Sequence, residues 1–130
     1  MSESAESVIR RYLAAMETSD ADELASYYCD DAVFIDGPRG THEGIDAIRT
    51  EMQSMAMLSN FRVEVKTLVA NGRTVMTERV DIFGIQDKSF ELEVVGVIEL
   101  DDNNHIKRWR DYYDLRSIEE RMAAAFAPPN

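Results

Sequence analysis

The chain has a single cysteine among its 130 residues, Cys29, set in Tyr27-Tyr28-Cys29-Asp30 with no His or second Cys nearby. That excludes an internal disulfide and gives no basis for a cysteine metal site, so a buried, inert thiol is expected. Basic residues are also scarce: 14 Lys and Arg against 25 Asp and Glu leave a net charge of −11. A surface of that sign repels phosphate backbones and anionic lipid, which argues against a nucleic-acid partner. No apolar run approaches the roughly 20 residues a membrane helix needs. The opening Met1-Ser2-Glu3-Ser4-Ala5-Glu6 is acidic and lacks the basic and apolar regions of a signal peptide, so a cytoplasmic protein without membrane attachment is expected. Repeats, linkers and low-complexity segments are absent. A chain of this length buries one core and not two, so residues 1–130 are expected to form one domain.

What the sequence does have is two kinds of periodicity in succession. From Ala5 to Thr18, Val8, Ile9, Tyr12, Leu13 and Met16 recur at three- and four-residue spacing and predict an amphipathic helix. Asp20 with Glu23 three residues later reads as a capping box that opens a second helix through Leu24, Tyr27 and Tyr28. Ala32 to Ile35 reads as a short strand. Gly37-Pro38-Arg39-Gly40 breaks it ahead of a third helix from about Gly44 to Leu58, whose Met52, Met55 and Met57 suit an adaptable core or a dimer contact. After Asn60 the period becomes two. Phe61-Val63-Val65, a type I′ turn at Asn71-Gly72, Thr74 to Ile85, Phe90 to Leu100 and His105 to Leu115 predict four long antiparallel strands. A last helix spans Ser117 to Phe126. Helices first and a meander afterwards imply an α+β fold in which a curved sheet wraps the helices and leaves a pocket against its concave face.

Charges interrupt two of these strands, at Thr77-Glu78-Arg79-Val80-Asp81 and at Arg108-Trp109-Arg110-Asp111-Tyr112-Tyr113-Asp114. A carboxylate on the inward face of a strand is destabilising by several kcal/mol unless it is paired or hydrogen-bonded, on the order of the penalty for an unpaired buried charge. Strand alternation puts Arg79 and Asp81 on one face, and Trp109, Asp111 and Tyr113 on one face of the last strand. If both faces are concave, the three charged groups converge. Two carboxylates bridged by one guanidinium form an acid/base pair, because close like charges raise one pKa while the cation restrains the other. The plain alternative is surface ion couples, Arg79 with Asp81 and Asp111 with Arg108 or Arg110.

The order and spacing of Thr-Glu-Arg-Val-Asp, Val95-Gly96-Val97 and Trp-Arg-Asp-Tyr-Tyr-Asp-Leu-Arg resemble the limonene-1,2-epoxide hydrolase family. Asp30-Asp31-Ala32-Val33-Phe34, Gly44 and Asp46-Ala47 extend the likeness from the second helix through Ile118. The resemblance implies an NTF2-like cone shared with ketosteroid isomerase and nuclear transport factor 2: a strongly curved, mixed six-stranded sheet around a deep pocket, commonly dimeric. It implies no metal or cofactor and no covalent intermediate. The family's catalytic Asp-Arg-Asp trio falls on Asp81, Arg79 and Asp111. Asp111 would be the base that activates water, Asp81 the acid to the epoxide oxygen, and Arg79 the clamp on both.

The family also holds its water with a tyrosine and, two residues on, an asparagine; Phe34 and Asp36 stand there in this chain. Phe34 forms no hydrogen bond. Asp36 imitates the amide when protonated and is a second base beside Asp111 when ionised. Phe34, Phe83, Val94, Tyr113 and Ile118 are the expected pocket lining. His42, after the Pro38–Thr41 loop, and His105, after four polar residues, are expected to be solvated. The leading expectation is hydrolysis of a small-to-medium apolar epoxide to a vicinal diol by a homodimer. The alternatives are an isomerase, dehydratase or cyclase of the same fold with Asp36 as base, and a ligand-binding module without catalysis.

Overall fold

Ser4 starts the first helix: its hydroxyl accepts the Ser7 backbone N–H at 3.1 Å, and α1 runs over Ala5–Ala15 in a computed structural model that describes residues 3–18 and 20–129. The predicted apolar stripe is its buried face, through Val8, Ile9, Tyr12 and Leu13. Asp20 caps α2 (Ala21–Ala25) by accepting the Glu23 N–H at 2.8 Å. This helix is shorter than expected, because Tyr28 begins β1 (Tyr28–Asp36) rather than ending a helix. The Ile106 N–H bonds the Tyr27 carbonyl at 2.8 Å, and that bond to the far end of the chain outweighs one more helical turn.

A single 3₁₀ turn at Gly37–Arg39 leads into β2 (Gly40–Glu43), which pairs antiparallel with β1 from Val33↔Glu43 to Asp36↔Gly40. The sequence predicts a loop here, since four residues are too few to display an alternating pattern. Gly44, at φ +87°, turns the chain into α3 (Ile45–Met55), which buries Ile48 and Met52. The expected methionine row divides: Met52 lies in the core, Met55 is half-buried, and Met57 is 87% exposed beyond the helix end.

The meander is present as predicted: β3 (Ser59–Asn71), β4 (Thr74–Ile85), β5 (Lys88–Leu100) and β6 (Ile106–Tyr112). The first turn sits one residue later than expected. Asn71 pairs with Thr74, so Gly72 and Arg73 form the loop. Of these only Gly72 has a positive φ (+61°), which is the II′ pattern rather than I′. The last strand stops at Tyr112 because Asp114 accepts the Ser117 N–H at 3.1 Å and caps α4 (Leu115–Ala125), so Leu115 belongs to the helix.

The six strands lie in the order β2-β1-β6-β5-β4-β3. All neighbours are antiparallel except β1 and β6, which run parallel and make the sheet mixed. One apolar cluster fills the space under α1 and α3, with Ile9, Tyr12, Ile48, Met52, Ile98 and Trp109 at its centre. A second, smaller cluster joins Phe83 and Phe90 to Ile118 of α4. Between the two lies the concave face of β4, β5 and β6. Cys29 is half-buried rather than buried, its thiol 3.3 Å from Asp31 Oδ1, and His105 is exposed. Among the described residues no helix is long and apolar enough to cross a membrane.

Candidate active site

Alternation along β4 turns Thr77, Arg79, Asp81 and Phe83 to the concave side, where all four are buried. Asp111 lies two strands away, since Thr77 pairs with Gly96 and Gly96 with Asp111. At about 4.8 Å per strand, a side chain on β5 would stand between the arginine and this carboxylate. Position 96 has none. A Cβ there would fall 2.7 Å from Arg79 Nη1, 3.0 Å from Thr77 Oγ1 and 3.1 Å from Asp111 Oδ1, so the guanidinium occupies the space the glycine leaves. Arg79 then spans the gap. Its Nε donates to Asp81 Oδ1 at 2.9 Å and its Nη2 to Asp81 Oδ2 at 3.3 Å and Asp111 Oδ2 at 2.8 Å. Nη1 donates to Thr77 Oγ1 at 3.3 Å, and Cζ lies 5.4 Å from the centre of the Trp109 ring.

Arg79 is 1% exposed, Asp81 9% and Asp111 8%, which sets aside the reading of these groups as surface ion couples. Burial by itself lowers the Arg79 pKa, but Asp111 and Asp81 outweigh it and hold the guanidinium charged above its ordinary range. Burial pushes the Asp81 carboxyl above its ordinary value; Arg79 pulls the other way, and Asp111 and Asp36 add to the rise. Asp81 is thus biased toward carrying a proton at the place where Arg79 is fixed. Asp111 Oδ1 is buried and has no hydrogen-bonding partner among the described residues, which leaves an acceptor open.

The trio faces a cavity of about 240 Å³. Phe34, Asp36, Phe83, Val94, Tyr113 and Ile118 all line it, together with Leu92 and Phe61. Phe34 is a wall, stacked on Trp109 with centroids 6.1 Å apart and planes at 16°. Asp36 sits beside Asp111 in the parallel ladder and accepts the Tyr113 hydroxyl at 3.0 Å. His42 departs from expectation: it lies on β2 opposite Phe34, half-buried, with Nε2 3.4 Å from Glu51 Oε2. Burial raises the Glu51 carboxyl, His42 lowers it, and Asp36 adds to the rise.

The sequence shows Thr77 and Gly96 only as members of motifs and Tyr12 only as a helix-core residue, and it gives none of these three, nor Arg39 or Glu51, a place at the site. Gly96 alone carried a signal, as a glycine between two valines of a strand, where a close approach is the usual cause. The others depend on cross-strand register or helix placement. Among the described residues no three His, Cys, Asp or Glu side chains come together to hold a metal.

Comparison with known proteins locates this architecture. Residues 3–123 match the family model described as limonene-1,2-epoxide hydrolase catalytic domain. The epoxide hydrolase EphG of Mycobacterium tuberculosis is 30% identical over 107 residues, covering 82% of this chain and 71% of that protein. The structure of a Mycobacterium tuberculosis LEH-like epoxide hydrolase superposes with a TM-score of 0.79 at 27% identity, over 93% of this chain and 89% of that one. A SnoaL-like protein from Shewanella denitrificans gives a TM-score of 0.81 at 16% identity, over 92% of this chain and 97% of that one, and shows the shared fold alone.

Proposed function

The chain belongs to the limonene-1,2-epoxide hydrolase family, and from that premise we propose that it adds water in one step to a small-to-medium apolar epoxide and releases a vicinal diol. The observation that carries this reading is the pair of buried carboxylates joined by Arg79 at the base of an apolar cavity. Asp111 takes a proton from water while the water oxygen bonds to a ring carbon. The carbon–oxygen bond of the ring breaks, and Asp81 gives its proton to the leaving oxygen. Arg79 steadies both carboxylates as their charges exchange, Asp111 becoming neutral and Asp81 anionic. Every step uses side chains and water, so the proposed reaction calls for no cofactor. Apolar walls at Phe83, Val94 and Ile118 suit an apolar ring and, by excluding bulk water, strengthen the electrostatics of the trio.

The test is incubation with an epoxide panel that includes limonene oxide and cyclohexene oxide in ¹⁸O-water, with product read by mass spectrometry. A labelled diol from the natural protein and none from a folded Asp111→Asn variant is the expected result. No diol across the panel would sink the proposal.

A second reading draws on one observation, that Asp36 lines the same cavity as the trio. In it Asp36 abstracts a proton from carbon, as in an isomerase, dehydratase or cyclase. Asp36→Asn separates the two: epoxide opening survives it if Asp36 only holds water, while a proton abstraction would be abolished.

We also propose that the working form is a homodimer. Val69, Met76, Val95 and Tyr112 are exposed on the outer face of the sheet. Val69 pairs with Met76 and Val95 with Tyr112, so they form adjacent rows of apolar surface.

A further inference from the structure

Phe34 offers no hydrogen bond, yet a hydroxyl does enter the cavity close by, from the residue after β6. The Tyr113 hydroxyl donates to Asp36 Oδ1 at 3.0 Å and lies 3.4 Å from the Asp36 carbonyl oxygen. Its ring is held by Gly37, at φ +45°, where a Cβ would come within 2.6 Å of Tyr113 Cε1 and 2.9 Å of Cδ1. The ring therefore lies against bare backbone, and the hydroxyl has a fixed position. Asp36 and Asp111 are direct partners in the parallel ladder, so both carboxyls rise from adjacent strands on the same face. Asp36 has one oxygen committed to Tyr113, and Asp111 has one committed to Arg79. Each keeps a second oxygen, and Asp111 Oδ1 is buried without a partner.

We infer that Tyr113 is the positioning residue that fixes the Asp36 carboxyl, so that from the position where the family resemblance puts a water-holding amide it holds the attacking water together with Asp111. This rests on the hydrolase reading above and gives the pocket its second water-holding arm. The water donates one hydrogen to Asp111 and the other to Asp36. Only the first proton moves, to Asp111, as the oxygen bonds to the ring carbon and Asp81 protonates the leaving oxygen. The second stays on the new hydroxyl, still hydrogen-bonded to Asp36. The free oxygen of the Asp36 carboxyl accepts such a bond as an amide oxygen would, provided the group cannot rotate away. The Tyr113 hydroxyl supplies that restraint. Burial, then the charge and hydrogen bond of Asp36, hold the phenol well above its ordinary pKa, so it remains a donor throughout the working range.

Two measurements test this and separate its failure from that of the hydrolase reading. Crystal structures of the ligand-free natural protein and of Tyr113→Phe need no substrate. The expected result is a water within hydrogen-bonding distance of both Asp36 and Asp111 in the first, lost or displaced in the second. Absence of that water, or its indifference to Tyr113→Phe, overturns the inference. In turnover of an epoxide, Tyr113→Phe is expected to lower kcat by about 3- to 10-fold, the value of one hydrogen bond, with KM and melting temperature unchanged. In an Asp36→Ala background the same change should cause no further loss. A raised KM at constant kcat, or losses that multiply, would place Tyr113 on the substrate instead and overturn its positioning role. A bridging water in a protein that opens no epoxide would support the anchoring while refuting the proposed reaction.

Discussion

A methyl group at position 96 would compete with Arg79 Nη1 for the same space, at 2.7 Å. Gly96→Ala is therefore expected to lower kcat by about 100-fold, or about 2.7 kcal/mol of transition-state stabilisation, by displacing the guanidinium from Asp111. The overpacking should reduce stability by about 1–3 kcal/mol. Turnover and urea denaturation measured side by side check both parts, and an active Gly96→Ala enzyme would contradict this account of the bridge. Asp81 gives a second prediction. Its pKa is raised above the ordinary 3.8, so the folded chain holds this proton at pH values where the unfolded chain has lost it. Its contribution to stability is full below the unfolded value and is lost as pH rises through the folded one. The ready acid disappears over the same range, so kcat/KM should fall on the alkaline side in step with Asp81 ionisation followed by carboxyl ¹³C NMR. Titration at or below 3.8 would remove Asp81 as the acid. At this scale alternation puts Arg79 and Asp81 on one face, and the family resemblance, not the spacing, singles out these two with Asp111. Thr77 and Gly96 were not legible as site residues, since which residue stands opposite which is a property of register across three strands.

The elements differ in how openly the sequence displays them. Helix α1 and strands β3 to β5 each repeat a period several times, and they appear nearly as predicted. Strand β2 has four residues, too few to show a period, and the sequence displays only Ala32 to Ile35 of β1 because Tyr27-Tyr28 reads equally well as a helix end or a strand start. Those two elements set the Asp36 side of the pocket, so the sequence named Asp36 without revealing its neighbours. Helix α4 closes the opposite side through Ile118, which is 1% exposed. Ile118→Ala should destabilise the fold by about 2–5 kcal/mol and enlarge the cavity, shifting preference toward bulkier epoxides. Thermal melts and paired substrate competitions measure the two effects. Unchanged selectivity with lowered stability would make Ile118 a core residue only.

For the molecule as a whole, charge and apolar surface pull in opposite directions. A net charge of −11 keeps copies apart, while Val95 and Tyr112, 42% and 58% exposed, invite association through the outer face of the sheet. If that face joins two copies, dimerisation strengthens with added salt as repulsion is screened. Val95→Glu should give a folded monomer in light scattering. A natural protein that stays monomeric at every concentration would refute the dimer.

The parallel pairing of β1 with β6 also has a consequence in time. The Tyr113–Asp36 bond closes a loop of 77 residues, and Asp111 arrives with the same late strand. During synthesis the arginine and its neighbouring acid emerge well before the base, so a nascent or truncated chain has a clamp with nothing to complete it. Contacts this distant in sequence form slowly because the ends of a long loop must first meet. On the proposed reaction, proton transfer therefore waits for β6, which brings Asp111 to Arg79, and the Asp36 side of the pocket is completed only when β1 and β6 have met.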